Sequence, residues 1–323
     1  MKIENSKLKI VFFGTPEFAI PALNSLVNFG YNIVAVVTQP EKPVGRARVI
    51  TPSPIKKIAL EKNIEVFEPH NLKQDEEFLK KFEHLNPDLC VVVAYGKIIP
   101  KKYLNIPKFG FINIHPSLLP KYRGPAPIQT SILNGDQETG VTIMIVDEEI
   151  DHGPILAKRE FSISKADASP TLLVGVPAGS PTQSRRGLQF PNYKELEKKL
   201  AELGAELLIE TLPKYINGEI EPKTQNHGQA TFTKMFTRED GRINWGDPPE
   251  KIYNRIRALN PEPGTWTIWK GRIINIKAAS VKTSTSQGKP TLGIEIIQTE
   301  GKRETPFREF LNGHPDFDIS QLE

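Results

Sequence analysis

Asn113 and His115 are two polar side chains at the end of an apolar run, residues 110–114, that favours a β-strand. Because side chains alternate along a strand, the amide and the imidazole point to the same face. Pro116 and Pro120 stop the strand and predict a turn after it. An amide can donate a hydrogen bond to a developing oxyanion, and a histidine exchanges protons near neutral pH. The pair fits acyl transfer at a carbonyl carbon, with a purely structural role as the alternative.

An acidic side chain beside His115 would orient the ring and favour its protonated form. We expect this acid at the end of a neighbouring strand, on the loop that follows residues 141–146. The candidates are Asp147, Glu148, Glu149 and Asp151. Asp151 precedes His152-Gly153-Pro154, a turn that could present its carboxylate to a cleft.

Short apolar runs alternate with helix-forming segments along the first two thirds of the chain. This order predicts an α/β fold with a doubly wound, mostly parallel, Rossmann-like sheet. The predicted strands are residues 9–13, 33–37, 65–67, 89–94, 111–115, 141–146 and 155–161. The predicted helices of this part are residues 18–28, 54–62, 75–85, 126–133 and 193–212.

Ligands of doubly wound sheets bind outside the carboxyl ends of the strands. Four features are predicted to meet there: Gly14, Tyr95-Gly96, the pair Asn113 and His115, and the loop 147–151. Neither G-x-G-x-x-G nor G-x-x-x-x-G-K-[ST] occurs in the chain, which argues against a dinucleotide or P-loop site.

The length of 323 residues predicts two domains, because single cores rarely grow beyond ~250–300 residues. We place a catalytic domain at 1–212, with a proline-rich insertion at about 168–192, and a polar linker at 213–229. Residues 230–323 are predicted to form a small, OB-like β-barrel with one helix at 249–258. Its predicted strands are residues 243–245, 266–269, 272–276 and 294–298, with a hairpin turn at Lys270-Gly271. The lack of a predicted strand pair between Val281 and Ile294 indicates a shortened domain.

The segment from Thr38 to Pro54 is predicted as a long loop, because it contains four prolines. Lys42, Arg46 and Arg48 lie on it against one acid, Glu41. The loop is either an ordinary solvated segment or a basic arm that contacts phosphates.

The composition is that of a soluble globular protein, with 38% hydrophobic and 25% charged residues. The net charge of +4 permits a polyanionic partner without requiring one. Cys90 is the single cysteine and has no disulfide partner, so we expect a reducing compartment. No signal core and no apolar run of ~18 residues is present, which predicts a cytoplasmic location. His115 and His152 lack the spacing of metal ligands, so we expect no metal.

The sequence from Asn113 to Pro120, followed by Arg123 to Ile128 and by Asp151-His152-Gly153, resembles the folate-dependent formyltransferases. Further matching stretches, in the same order as in that family, are residues 13–19, 38–46, 52–56, 93–100 and 138–142. These longer stretches are most similar to the branch of the family that formylates methionyl initiator tRNA. The resemblance covers residues 7–165 closely and 193–280 recognisably.

The resemblance implies transfer of the formyl group of 10-formyltetrahydrofolate to the α-amine of methionine on initiator tRNA, in translation initiation. Asn113 and protonated His115 would stabilise the oxyanion, and Asp151 would hold His115 and help to remove the amine proton. The residues implied to line the folate pocket are Ser117, Leu118, Leu119, Pro120, Tyr95, Gly96, Lys97 and Ile98.

The resemblance also implies that Lys42, Arg46 and Arg48 face the tRNA and that the second domain holds the tRNA body. We expect a monomer without a metal. Two alternatives remain open at this point. One is a formyltransferase that acts on the amine of a sugar nucleotide. The other is a non-catalytic RNA-binding relative, against which the intact set Asn113, His115 and Asp151 argues.

Overall fold

The computed structural model describes residues 4–44, 49–163, 190–283, 290–319 and 322. The chain forms two compact units. The first comprises Met1–Pro127, Thr139–Phe161 and Glu197–Thr233, and the second comprises Ile128–Glu138, Ser162–Leu196 and Lys234–Glu323. Most of the predicted insertion at 168–192 lies outside the described residues.

Thirteen strands and eight α-helices are present in the described residues. The strands are β1 (Lys9–Gly14), β2 (Asn32–Val37), β3 (Lys42–Val44), β4 (Val49–Thr51), β5 (Val66–Phe67), β6 (Leu89–Val93), β7 (Phe111–His115), β8 (Glu138–Ile145), β9 (Ile155–Ser162), β10 (Thr265–Trp269), β11 (Arg272–Thr283), β12 (Pro290–Thr299) and β13 (Thr305–Pro306). The helices are α1 (Ile20–Asn28), α2 (Pro54–Glu61), α3 (Glu76–Leu85), α4 (Lys101–Leu104), α5 (Pro127–Leu133), α6 (Tyr193–Ile216), α7 (Pro249–Leu259) and α8 (Phe307–Gly313).

A seven-stranded sheet with the order β5-β2-β1-β6-β7-β8-β9 holds the predicted site. The five strands from β5 to β7 run parallel, whereas β8 runs antiparallel to β7. The prediction of an α/β fold with a mostly parallel sheet is therefore confirmed. The central strands β1 and β6 are buried almost throughout, as expected where helices cover both faces of a sheet.

An aromatic cluster packs against one face of this sheet and fixes the ends of its central strands. The ring of Phe82 on α3 lies 5.3 Å from Tyr103 and 6.2 Å from Phe111, measured between centroids. Phe13 contacts Tyr95 at 5.3 Å and Phe111 at 5.4 Å. Burial of such large rings stabilises the core, and edge-to-face pairs add about 0.5–1.5 kcal/mol each. Phe111 begins β7, so this core anchors the strand that carries Asn113 and His115.

Two helices begin with a side chain that caps their first turn. The Ser53 hydroxyl accepts a hydrogen bond from the backbone N–H of Lys56 at 3.1 Å, so it caps α2. The Asp75 carboxylate accepts one from the N–H of Phe78 at 2.9 Å and caps α3. Such caps typically contribute about 1 kcal/mol.

The segment 38–54 is not the irregular loop that its prolines predict. Short strands β3 and β4 pair antiparallel within it, from Lys42 opposite Thr51 to Val44 opposite Val49. Pro43 lies in β3, and the pair forms a two-stranded sheet of its own in which every strand is an edge. Arg46 and Arg48 lie outside the described residues.

Helix α6 continues to Ile216, beyond the predicted end at 212. Pro213 lies in its last turn, where Asn217 still donates a backbone hydrogen bond to the Pro213 carbonyl at 3.1 Å. The segment that follows, predicted as a linker, is hydrogen-bonded to the first unit. Lys223 and Ile155 exchange two backbone hydrogen bonds of 2.8 and 2.9 Å.

The second unit contains an antiparallel sheet with the order β10-β11-β12-β13. The predicted hairpin is present, since Lys270 and Gly271 turn between β10 and β11 with φ values of 50° and 73°. Strands β11 and β12 extend to Thr283 and back from Pro290, so they are longer than predicted. The small and polar residues after Ile276 form no apolar run, so the sequence pattern does not predict this extension. The predicted strand 243–245 is reduced to a single bridge between Arg242 and Trp266.

No helix in the described ranges combines the length and the apolar character needed to cross a membrane.

Cys90 provides a test of the buried sheet. Its side chain is fully buried in β6, and burial raises the pKa of the thiol well above its ordinary value. A raised pKa keeps the group as the thiol to higher pH, and only the thiolate reacts quickly. We expect the native protein to be inert to Ellman's reagent at pH 8, and the unfolded protein to release one equivalent. Rapid reaction of the native protein would contradict the packing of β6.

Candidate active site

Three polar side chains converge on one face of β7, next to its carboxyl end. The Asn113 amide nitrogen Nδ2 lies 3.4 Å from Oδ1 of Asp151. Nδ1 of His115 lies 3.5 Å from Oδ2 of the same carboxylate. Both contacts are longer than good hydrogen bonds, as is common for catalytic groups without substrate. The arrangement places an amide nitrogen and an imidazole nitrogen around one carboxylate.

The orientation of the His115 ring is fixed by a backbone carbonyl. Nε2 lies 2.9 Å from the carbonyl oxygen of Tyr122. Since a carbonyl oxygen only accepts, Nε2 carries a hydrogen and donates it. Nδ1 is therefore the nitrogen that faces Asp151 and the space beside Asn113. The ring is 4% exposed, so solvent competes little for these contacts.

The Asp151 carboxylate is held from the other side by Gly124, whose backbone N–H donates to Oδ2 at 2.7 Å. Gly124 has a φ of 103°, and a Cβ at this position would lie 3.0 Å from the carbonyl oxygen of Thr233. Only glycine fits both the backbone conformation and the close approach. A charge-assisted bond of this length makes the Gly124 N–H the firmest contact of the carboxylate.

The turn that carries Asp151 is strained and tightly packed. Asp151 has a φ of 49°, in the left-handed region that residues other than glycine seldom adopt. At Gly153, a Cβ would lie 2.0 Å from the carbonyl oxygen of Ile145. The D-x-G spacing is therefore required by geometry, because the chain at Gly153 passes directly over the end of β8.

The direction of β8 corrects one expectation about this loop. Because β8 is antiparallel to β7, with Ile145 opposite Ile112 and Thr142 opposite His115, its carboxyl end lies toward the amino end of β7. The loop 147–151 therefore does not start at the shared carboxyl edge of the sheet. Asp151 reaches Asn113 because the loop folds back toward β9, where the Ile145 N–H bonds to the carbonyl of Pro154 at 2.8 Å.

The other acids of this loop have different partners. Asp147 accepts from Nδ1 of His152 at 2.6 Å and from the N–H of Glu149 at 3.0 Å. Glu148 pairs with Lys101 at 2.6 Å on the surface. Of the four predicted candidates, Asp151 is the one that contacts His115.

The turn after β7 is held by buried hydrogen bonds. The Thr142 hydroxyl donates to the carbonyl of Ser117 at 2.7 Å and accepts from the N–H of Leu119 at 3.2 Å. The Ser117 hydroxyl donates to the carbonyl of Lys121 at 2.6 Å. Lys158 donates to the carbonyl of Leu119, and burial lowers the pKa of its ammonium group. The Leu119–Pro120 peptide bond is cis, and Leu118 packs beside Gly140.

Residues 95–98 follow β6 and contribute mainly backbone to this edge of the sheet. The Tyr95 side chain is buried in the aromatic core, whereas its carbonyl accepts from Nε2 of Gln39 at 2.8 Å and from Thr15 at 3.2 Å. Gly96 has a φ of 77° and leaves space that Gln39 fills. The Lys97 ammonium group donates to the carbonyls of Pro69 and His70 at 2.9 Å each, and Ile98 is 72% exposed.

The predicted tRNA-facing residues are only partly described. Lys42 is placed as a backbone position in β3, and Arg46 and Arg48 lie outside the described residues. Within the ranges that the structure describes, no group of three or more His, Cys, Asp or Glu side chains is arranged to hold a metal ion.

Several residues of the site were not predicted from the sequence. Gly124 lies in the motif after β7, but its N–H could not be assigned a role from the sequence, because its contact with Asp151 is seen only in the three-dimensional structure. Gln225 and Arg123 form a buried hydrogen-bonded pair behind the Asp151 turn, with Nη2 of Arg123 2.8 Å from Oε1 of Gln225. Gln225 lies 74 residues beyond Asp151 in a polar segment, so no local pattern marks it.

Family models match both parts of the chain. One described as formyl transferase matches residues 8–175, and one described as formyl transferase, C-terminal domain, matches residues 235–293. A methionyl-tRNA formyltransferase from Caldanaerobacter subterraneus is 41% identical to this chain, over 95% of this chain and 97% of that protein. One from Enterococcus faecalis is also 41% identical, over 94% of this chain and 96% of that protein.

Solved structures share the fold at lower identity. The N-formyltransferase from Helicobacter canadensis, in complex with folinic acid and dTDP-3-aminofucose, aligns with a TM-score of 0.63 at 18% identity, over 89% of this chain and 99% of that chain. HypX from Aquifex aeolicus, in complex with tetrahydrofolic acid, aligns with a TM-score of 0.62 at 16% identity, over 95% of this chain and 47% of that chain.

Gly153 provides a test of the turn beneath the site. We expect Gly153→Ala to lower the free energy of unfolding by about 1–3 kcal/mol, because the new methyl group would displace the Ile145 carbonyl. Denaturant unfolding followed by circular dichroism measures the change. Gly228→Ala is the matched control, since its Cβ would meet only the side chain of Asn226, at 3.4 Å. Equal stability of the two variants would contradict the close approach at Gly153.

Proposed function

This chain belongs to the formyl transferase family, and we propose that it transfers the formyl group of 10-formyltetrahydrofolate to the α-amine of methionine on initiator tRNA. One observation carries the proposal. Asn113 and His115 both contact the carboxylate of Asp151. The chain that carries these three residues is 41% identical to a methionyl-tRNA formyltransferase over 95% of its length. The chain is thus an enzyme of one-carbon transfer that acts in translation initiation.

The reaction forms one C–N bond and breaks another. The free α-amine attacks the formyl carbon of the donor, and the carbonyl oxygen becomes an oxyanion. Collapse of this tetrahedral species breaks the bond between the formyl carbon and N10, which takes up a proton as tetrahydrofolate leaves. The amine loses a proton and becomes the N-formyl amide.

Asn113 and His115 would stabilise the oxyanion. The Asn113 amide and the Nδ1 side of His115 point into the same space, and neither is held by Asp151 at better than 3.4 Å. Each group can therefore give up its long contact with the carboxylate and form a shorter hydrogen bond to the developing oxyanion. A buried donor of this kind typically contributes a factor of ~10²–10³ to the rate.

Asp151 would orient His115 and accept the amine proton, directly or through water. The Gly124 N–H keeps Oδ2 in place at 2.7 Å, which leaves Oδ1 beside Asn113 for the incoming amine. The carboxylate thus orients one partner and is positioned to deprotonate the other.

The formyl donor would bind along the two turns that follow β6 and β7. The predicted folate residues are Tyr95, Gly96, Lys97, Ile98, Ser117, Leu118, Leu119 and Pro120. The buried bonds of Thr142 and Lys158 to the second turn pre-organise its backbone, which lowers the entropic cost of binding. The structural relatives solved with folinic acid and tetrahydrofolic acid support a folate donor.

The acceptor would be held by the basic segment around β3 and β4 and by the second domain. Lys42, Arg46 and Arg48 would contact phosphates of the tRNA acceptor end. We propose residues 1–212 as the catalytic domain and 230–323 as a tRNA-binding domain whose antiparallel sheet belongs to a small, OB-like barrel. We further propose a cytoplasmic monomer.

The sugar-nucleotide alternative has weaker support. Sugar N-formyltransferases share the fold at 18% identity, whereas the relatives named for methionyl-tRNA are 41% identical over nearly the whole chain. A non-catalytic role is disfavoured because the three catalytic groups are all present and meet.

We expect the purified protein to formylate Met-tRNA in the presence of 10-formyltetrahydrofolate. Formylated tRNA is measured as acid-precipitable radiolabel from the formyl donor, and formylation of the alternative acceptor dTDP-3-aminofucose is measured by chromatography of the soluble nucleotides. Product with the sugar nucleotide and none with charged initiator tRNA would overturn the proposed acceptor. No product with either would overturn the enzyme assignment.

Asn113→Ala and His115→Ala should each lower kcat by ~10²–10³-fold, because each removes one oxyanion donor. Asn217→Ala and His84→Ala are matched controls, since both side chains are exposed on helix ends away from the site. Circular dichroism checks that all four variants fold. Near-wild-type turnover in either active-site variant would refute the role given to that residue.

A further inference from the structure

A buried amide lies behind the Asp151 turn and links it to the segment after α6. Nε2 of Gln225 donates to the carbonyl of Asp151 at 2.9 Å and to the carbonyl of Gly153 at 2.8 Å. The side chain thus spans both ends of the turn that carries the carboxylate. Gln225 is 4% exposed, so water does not replace these bonds.

The other end of the amide is fixed by a buried guanidinium. Oε1 of Gln225 accepts from Nε of Arg123 at 3.2 Å and from Nη2 at 2.8 Å. Because the guanidinium can only donate, it determines which end of the amide is oxygen and which is nitrogen. Every hydrogen-bonding capacity of the Gln225 side chain is then used, with two donated and two accepted bonds.

Arg123 is itself held rigidly. It is 3% exposed, and its Nη2 also contacts Nδ1 of His227 at 2.9 Å. Its backbone pairs on both sides, with the Thr231 carbonyl accepting and the Thr233 N–H donating at 2.8 Å each. The residue that follows Arg123 is Gly124, whose N–H holds the Asp151 carboxylate. Arg123 therefore connects both supports of Asp151, the amide behind its backbone and the N–H on its side chain.

We propose that Gln225, oriented by Arg123, is a positioning residue for the formyl-transfer reaction and acts through Asp151. The turn needs this support because Asp151 occupies a strained backbone conformation, with a φ of 49°. Without the two bonds from Nε2, the turn relaxes and the carboxylate moves away from His115 and Asn113. Gln225 is 4% exposed and bonds to the backbone of the turn, so its loss should affect the chemical step and leave substrate binding intact. This inference rests on the proposed function for the choice of assay.

The primary test is the kinetic split in Gln225→Ala. We expect kcat to fall by ~10–100-fold, the scale that a misplacement of about 1 Å produces, while KM for Met-tRNA and for 10-formyltetrahydrofolate stays close to wild type. Gln229→Ala, an exposed glutamine four positions further on, should match the wild type in both constants. A wild-type kcat in Gln225→Ala, or a loss confined to KM, would overturn the proposal.

Two conservative variants separate positioning from packing. Gln225→Glu keeps an oxygen for Arg123 but has no N–H for the two carbonyls, so its kcat should be as low as that of Gln225→Ala. Arg123→Lys keeps the charge but loses the paired hydrogen bonds from Nε and Nη2 to Oε1 of Gln225. It should show a smaller fall in kcat. These variants decide the question if Gln225→Ala does not fold. Wild-type kcat in Gln225→Glu would show that the donated bonds are unimportant.

A double-mutant cycle tests the route through Asp151. In single-turnover reactions, Gln225→Ala should cause no further loss when added to Asp151→Asn, because the group that it positions is already removed. Additive losses would overturn the proposal. Each rate constant of a variant is divided by that of the wild type, and both are measured with the amine acceptor that the wild type uses. A failure of the tRNA assay alone therefore refutes the proposed acceptor, and a failure of these ratios refutes the role of Gln225.

Discussion

The carboxylate of Asp151 is the group on which the site depends. It is the common neighbour of Asn113 and His115, and its own position is set by one short bond from the Gly124 N–H. Asn113 and His115, the two proposed oxyanion donors, lie on a buried strand, but the carboxylate lies on a loop with a strained backbone. Precision at the site is therefore limited by the loop, and the surrounding hydrogen bonds are concentrated there.

The sheet and the aromatic core supply the fixed half of this arrangement. Phe111 anchors the start of β7 in the core, and His115 ends the strand with its ring held by the Tyr122 carbonyl. Ile114, between Asn113 and His115, packs on the opposite face of β7 beneath Gly204 of α6. Side-chain alternation then aims Asn113 and His115 away from the helix and toward Asp151. The proposed site therefore lies on one face of a strand whose other face is packed against a helix.

The sequence predicted the elements whose signals are local. Apolar runs located the strands of the large sheet, and Lys270-Gly271 marked a hairpin. The N-x-H pair and the D-x-G turn indicated three groups that the structure brings together. What could not be predicted is non-local: the antiparallel direction of β8, the pairing of β3 with β4 across a proline, and the contact of Gln225 with a turn 74 residues earlier. In each case the structure depends on a contact with a residue that is distant in sequence, or on a contact that overrides a local propensity.

The antiparallel β8 explains why these non-local supports are needed. In an all-parallel sheet, an acid after β8 would emerge at the same edge as His115, and a short loop would suffice. Here the loop leaves from the other end and must fold back, so its path has no ladder of strand hydrogen bonds to guide it. Gly153 allows the fold-back by passing close to Ile145, and Gly124 receives the carboxylate at the far end. Gln225 holds the backbone of the turn through the carbonyls of Asp151 and Gly153.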